Sequence, residues 1–277
     1  MPDRVAIVTG GLRGLGRGMT LGLAANGVRV LAVGHIPEDA AALEGAPGVR
    51  AMVADLRSPA ECDRVVAEAL SAFGRVDILV NNAGLTFTYI DPDRFRRKQP
   101  RKFWEVSDEV VQTVMDTNYV AADQMGRRVA PILVGQGWGR IVNVTTKLDT
   151  MNRAGCLPYG SSKAALEMAT EIWAKEVAGT GVTVNIVNPG AGANTPGMAQ
   201  EMRDWSREGR APRLVEPDEM VPPLLYVVSR AADAVNGYRF DALTWEVSLP
   251  PTEAARRNGR PAGFVLHPRD EAAFPAG

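Results

Sequence analysis

The chain has 277 residues, of which 45% are apolar and 23% charged, and its net charge is −1. That balance supports a full globular core and argues against a nucleic-acid-binding or membrane-surface protein. The two cysteines, Cys62 and Cys156, and the two histidines, His35 and His267, lack metal-ligand spacing, so no metal site is expected.

Two unpaired cysteines suit a reducing compartment. The first residues have no basic stretch leading into an apolar one, and no apolar run is long enough to cross a bilayer. The expectation is a cytoplasmic protein.

In chain order, the first apolar run covers residues 4–9. Gly10, Gly14 and Gly16 follow in the pattern T-G-x-x-x-G-x-G, with Arg13 and Leu15 inside it. Between a strand and a helix, such a turn lets backbone approach a pyrophosphate at the positive helix end. A second run, 28–33, ends at Gly34 and His35. An acid at that point would grip a ribose 2′-hydroxyl. None is there, and Glu38 and Asp39 come too late. With Arg13 in the turn, where a guanidinium pairs well with phosphate, NADP(H) is favoured over NAD(H). His35 is a candidate addition to that phosphate site.

The third run, 49–54, leads to Asp55 and Leu56. Ser58 and Pro59 open a helix reaching residue 73, as an N-cap followed by proline should. A fourth run, 76–80, leads into Asn81, Asn82, Ala83 and Gly84. Residues 87–102 break the rhythm with Arg94, Arg96, Arg97, Lys98, Arg101 and Lys102. A long helix is expected over 107–136, another strand over 140–144, a helix over 161–178 and a strand over 182–187. A last strand is expected within 237–245. Near-continuous apolar runs rich in β-branched residues suit strands covered on both faces. Alternation with helices predicts an α/β fold: a doubly wound parallel sheet, or Rossmann fold, with helices on both faces. Residues 1–247 are expected to form one domain. Residues 248–277, rich in proline and arginine, would be an extension belonging to it or packed on it, and no secondary structure is assigned to its end.

These motifs, in this order, resemble the short-chain dehydrogenase/reductase family in its single-domain form. The resemblance runs from about residue 5 to about 241. It rests on the glycine turn, Asp55, N-N-A-G at 81–84, Asn118, the threonine pair Thr145 and Thr146, Tyr159-x-x-x-Lys163, and Asn188-Pro189-Gly190. It implies an NAD(P)-dependent oxidoreductase moving a hydride between a nicotinamide and a carbonyl or alcohol. Tyr159 would be the acid/base, Lys163 its partner and a ligand of the ribose, and Asn118 a relay through water. Asp55 would contact the adenine; Asn82, Ala83, Gly84, Pro189 and Gly190 would line the cofactor. The family usually has serine where this chain has Thr146, and a threonine after the Pro-Gly, which points to Thr195, with Asn194 as the alternative.

Tyr159 and Lys163, four apart on a helix, share one face. A nearby ammonium and the positive nicotinamide both favour a phenolate over the ordinary phenol. Threonine has the hydroxyl inventory of serine, with a methyl that stiffens the side chain. Adjacent strand residues face opposite ways, so one of Thr145 and Thr146 serves the site.

The cationic loop, with Lys147, is a candidate hold for an anionic substrate, or else a solvated insertion or oligomer contact. Met198, Met202 and Trp205 are expected on a helix that the resemblance makes a lid. It also implies a tetramer or dimer built on paired long helices. A non-catalytic nucleotide-binding regulator with this fold would be expected to lose Tyr159, Lys163 or Asn118, and none is lost.

Overall fold

The computed structural model describes residues 3–264. His267 and the end of the extension lie outside the described residues. Eight strands form one sheet in the order β3-β2-β1-β4-β5-β6-β7-β8. They are β1 Val5–Thr9, β2 Arg29–Gly34, β3 Val49–Val53, β4 Ile78–Asn81, β5 Gly139–Asn143, β6 Val182–Asn188, β7 Tyr238–Asp241 and β8 Arg260–Pro261. The first seven pair in parallel, and β8 adds antiparallel to β7. The chain order reverses between β1 and β4, and open α/β sheets bind ligands beyond the strand ends at such a reversal.

The helices are α1 Gly14–Ala25, α2 Pro37–Ala41, α3 Pro59–Phe73, α4 Phe87–Ile90, α5 Asp108–Met115, α6 Ala121–Gly135, α7 Leu148–Met151, α8 Tyr159–Glu176, α9 Gln200–Arg207, α10 Val221–Val227 and α11 Pro251–Asn258. Side-chain alternation along β1 explains the two layers. Ala6 and Val8 point to the side of α1 and α10, packing with Met19, Leu23 and Leu224. Ile7 points to the other face, with Val65 of α3, Met125 and Val129 of α6, and Ala174 of α8.

One expectation changes. The helix expected over 107–136 is not uniform: a π-helical turn, Asp116–Val120, separates α5 from α6. The extra residue per turn falls at Asn118, and such turns recur at functional sites. Within its described part, residues 248–264, the extension forms the helix α11. Proline at the start of α11 is compatible with a first helical turn, and Ala254 and Ala255 join the core under α10. Among the described residues no helix is long and apolar enough to cross a membrane.

Candidate active site

A cavity of about 590 Å³ opens over the C-terminal ends of the central strands. One end is the glycine turn. Gly10 and Gly14 have φ of 61° and 55°, in the left-handed region that favours glycine. A Cβ on Gly16 would come within 2.0 Å of the Gly10 carbonyl oxygen. Gly16 therefore lets α1 start tight against β1, while Gly10, Gly14 and Leu15 border the cavity. The Asn82 side chain locks this turn, donating to the carbonyls of Thr9 and Gly10 at 3.0 and 3.1 Å. This turn fits a pyrophosphate: small residues at a helix N-terminus, with backbone free to approach.

Beyond the turn, Arg13, His35, Asp55 and Leu56 all border the cavity. Two neighbours were not anticipated. Arg57 clasps Asp55, with Nε and Nη2 donating at 3.0 and 2.5 Å. These hydrogen bonds hold the Asp55 carboxyl below its ordinary range. Asp39, expected too far along the chain to matter, is a correction. The short helix α2 turns it back toward the cavity, where its carboxylate lies 3.6 Å from Arg13.

The other end gathers Thr146, Tyr159 and Lys163, with Ala83, Gly84 and Pro189 along the walls. β5 stops at Asn143, and the chain beyond it delivers the threonine pair. Both line the cavity, and their side chains take different partners. Thr145 Oγ1 donates to Glu167 Oε2 at 2.9 Å. Thr146 borders the same cavity as Tyr159. Burial holds the Tyr159 phenol above its ordinary value, and the nearby Thr146 hydroxyl opposes that shift. Lys163 is buried one helical turn below, its Nζ donating to the Val144 carbonyl at 2.9 Å. Burial lowers its pKa from 10.5 to about 8.

Three expected site residues stand behind the cavity wall rather than on it. Gly16 is one. Gly190, with φ of 74°, packs against Asp241 and Leu243. Asn118 is fully buried. Its Oδ1 accepts from the Leu85 amide at 2.7 Å and its Nδ2 donates to Ser162 Oγ at 3.0 Å. Ser162 in turn donates to the Tyr159 carbonyl. Asn118 thus ties the loop after β4 to the first turn of α8. A Cβ on Gly84 would sit 3.3 Å from both Asn118 Oδ1 and Lys163 Nζ. Thr195 borders the cavity and faces Gly14. The Asn194 side chain is held instead by Glu216 and Arg203.

The segment after β4 also reaches the site. Thr86 and Thr88 donate to the Gly197 carbonyl at 2.6 and 2.7 Å, joining it to the stretch before α9. Met198 precedes α9 rather than lying on it, and both Met198 and Met202 border the cavity; Trp205 is not among its lining residues. Cys156 is a buried lining residue beside Arg94. Cys62 lies in the core on α3, where burial pushes its thiol up to about 11.

Residues 4–207 match the family model for short chain dehydrogenases. The chain belongs to that family. As a short-chain dehydrogenase it is an oxidoreductase by membership. It is 34% identical over 251 residues to 2-dehydro-3-deoxy-D-gluconate 5-dehydrogenase of Escherichia coli, a match covering 86% of this chain and 93% of the relative. Its fold is similar to a 3-ketoacyl-(acyl-carrier-protein) reductase of Brucella melitensis complexed with NADH, with a TM-score of 0.74 and 28% identity, covering 87% and 96% of the two chains. It is also similar to an actinorhodin polyketide ketoreductase variant solved with NADPH, with a TM-score of 0.72 and 28% identity, covering 84% and 93%.

Proposed function

We propose that this short-chain dehydrogenase is an NADP(H)-dependent carbonyl reductase and alcohol dehydrogenase working through Thr146, Tyr159, Lys163 and Asn118. The observation that carries this reading is the meeting of Thr146, Tyr159 and buried Lys163 on one cavity continuous with the glycine turn. NADP(H), when bound, supplies the hydride. Gly10, Gly14, Leu15, Asn82, Ala83, Gly84, Pro189 and Thr195 would line its length, and Lys163 its ribose. In reduction Tyr159 gives its proton to the substrate oxygen while Thr146 donates a second hydrogen bond. Lys163 favours the phenolate left behind. Asn118 fixes the helix start that aims Tyr159.

Arg13, Arg57 and His35 at the adenosine end support NADP(H), because guanidinium groups and an imidazole N–H can pair with a 2′-phosphate. Asp39 favours the second reading, NAD(H), since its carboxylate could take a ribose 2′-hydroxyl. The neighbours include proteins solved with NADH and with NADPH.

The substrate carries an anion in this reading. The described lining residues include two acids, Asp39 and Asp55, both at the adenosine end and both beside arginines. At the chemical end, Arg94 and Lys147 border the cavity and pair with no carboxylate among the described residues. Within the basic loop Arg96 pairs with Glu201, and Arg97 and Arg101 with Asp91. Arg94 instead lies over the Phe87 ring, 4.2 Å from its centroid, and donates to the Gly155 carbonyl. Two such cations on the wall that also holds Tyr159 suit a carboxylate- or phosphate-bearing carbonyl compound.

Residues 1–247 are one domain in this proposal, with the described part of the extension, 248–264, packed on it. Val111 on α5, Val134 on α6 and Ile172 on α8 are exposed apolar residues on the long helices, which supports a homodimer or tetramer. Free cysteines support a cytoplasmic setting. The test is a carbonyl and alcohol panel followed at the nicotinamide absorbance band with both cofactors. Reduction with NADPH, lost in Tyr159→Phe, is the expected result. Binding of nucleotide without turnover of any panel member would leave the regulator reading.

A further inference from the structure

Behind the cavity, the structure buries two charges that the proposed mechanism does not use. Arg239 on β7 and Glu167 on α8 are 1% and 0% exposed, and their charged groups lie 2.9 Å apart. A buried ion pair is a weak source of stability, because a well-packed apolar pair often does as well or better. Stability alone does not account for this one.

What the pair holds is informative. Past the end of β5 the chain leaves the regular ladder, and separate anchors fix successive residues. The Val144 carbonyl accepts from Lys163. The Thr145 hydroxyl donates to Glu167, at 2.9 Å. The Thr146 carbonyl accepts from Arg239 Nη2, also at 2.9 Å. One ion pair thus grips the side chain of one threonine and the main chain of the next. Residues from the C-terminal extension close it over: Gly263 donates its amide to Glu167 Oε1 at 3.4 Å, and Arg260 pairs with Asp241, which also neighbours Arg239.

We infer that Arg239 and Glu167 are positioning residues that set the Thr146 hydroxyl on Tyr159. This rests on the reading of Thr146 as the hydroxyl donor. It also gives the extension a task, since β8 and Gly263 cap the pair from outside. Misplacement of a reacting group by about 1 Å can cost roughly 100-fold in rate, so a brace at this spot has leverage.

The decisive variant is the double substitution Arg239→Met with Glu167→Leu, which removes both charges and leaves neither orphaned. Glu167→Gln, nearly isosteric, is the second variant if the first fails to fold. Folding is checked by thermal melting and by NADP(H) affinity. The first readout is kcat for the best alcohol of the panel. The second needs no substrate: the titration of Tyr159, followed by the Cζ chemical shift in 13C-tyrosine-labelled protein and assigned with Tyr159→Phe. Displacing the Thr146 hydroxyl leaves the phenolate less stabilised, so Tyr159 should titrate at higher pH.

The expected result is a kcat lower by roughly 10- to 100-fold, unchanged nucleotide affinity, and a Tyr159 titration moved upward as in Thr146→Val. A folded variant with wild-type kcat and wild-type titration overturns the inference. If Thr146→Val itself leaves both readouts unchanged, the hydroxyl assignment fails, and the inference falls with it. If Thr146→Val changes them and the pair variants do not, only the positioning role fails.

Discussion

Phe87 stacks on Tyr159, with ring centroids 4.6 Å apart and planes inclined at 52°. The ring comes from the segment after β4, and the Arg94 guanidinium lies over it, 4.2 Å from its centroid. The segment that breaks the strand–helix rhythm therefore touches the candidate acid/base directly.

That stack gives the first prediction. Arg94→Gln and Lys147→Gln should each raise KM for an oxo acid several-fold, and leave kcat/KM for its methyl ester near wild type. Matched acid and ester pairs of increasing chain length provide the measurement. Equal losses on acid and ester would mean that Arg94 only braces the Gly155 loop.

The two threonines should separate cleanly. Thr146→Ala is expected to cut kcat by roughly 100-fold, the scale of losing one oxyanion donor, with nucleotide affinity retained. Thr145→Ala removes a hydrogen bond to buried Glu167, so it should lower the melting temperature by an amount equivalent to about 1–3 kcal/mol. Larger catalytic damage from Thr145→Ala than from Thr146→Ala would reverse their roles.

Lys163 sets a pH dependence. Its pKa of about 8 in the folded protein lies below the ordinary 10.5, so the folded state binds fewer protons than the unfolded state between those values. Stability of the nucleotide-free protein should therefore rise as pH increases across that window. The charged ammonium, present mainly below about pH 8, is the form that favours the phenolate. Denaturant melts from pH 7 to 10, compared with Lys163→Met, test the linkage. The same rise in Lys163→Met would assign it elsewhere.

Arg13 and Asp39 bear on the choice of nucleotide. Arg13→Ala should weaken NADPH roughly 10-fold or more, as expected for loss of a charge-assisted phosphate contact, and leave NADH nearly unchanged. Asp39→Asn should tighten NADPH by removing a like charge from the phosphate site. Fluorescence titrations with both nucleotides would measure it, and a loss of NADH alone on Asp39→Asn would favour the NAD(H) reading.

Much of the fold was legible because its signals are local. The apolar runs, the glycine turn and the Ser58-Pro59 helix start each lie within a few residues, and periodicity and capping read them directly. The Tyr159 and Lys163 spacing was legible for the same reason. The π-helical turn at Asn118 was not, because one extra residue in a turn leaves helical periodicity nearly intact. The helix at Pro251–Asn258 was hidden by a composition that favours loops.

The sequence by itself determined the strand and helix alternation, the family and the side chains available for chemistry. Tertiary structure decided which of them meet. It turned Asp39 back to Arg13, laid Phe87 against Tyr159 with Arg94 over the Phe87 ring, and gave the Thr145 hydroxyl to Glu167. It also joined Arg239 to Glu167 by placing β7 beside β6 and α8 over them. Such pairings depend on strand order and on side chains sharing a face, and residues distant in the chain carry no local signal of either.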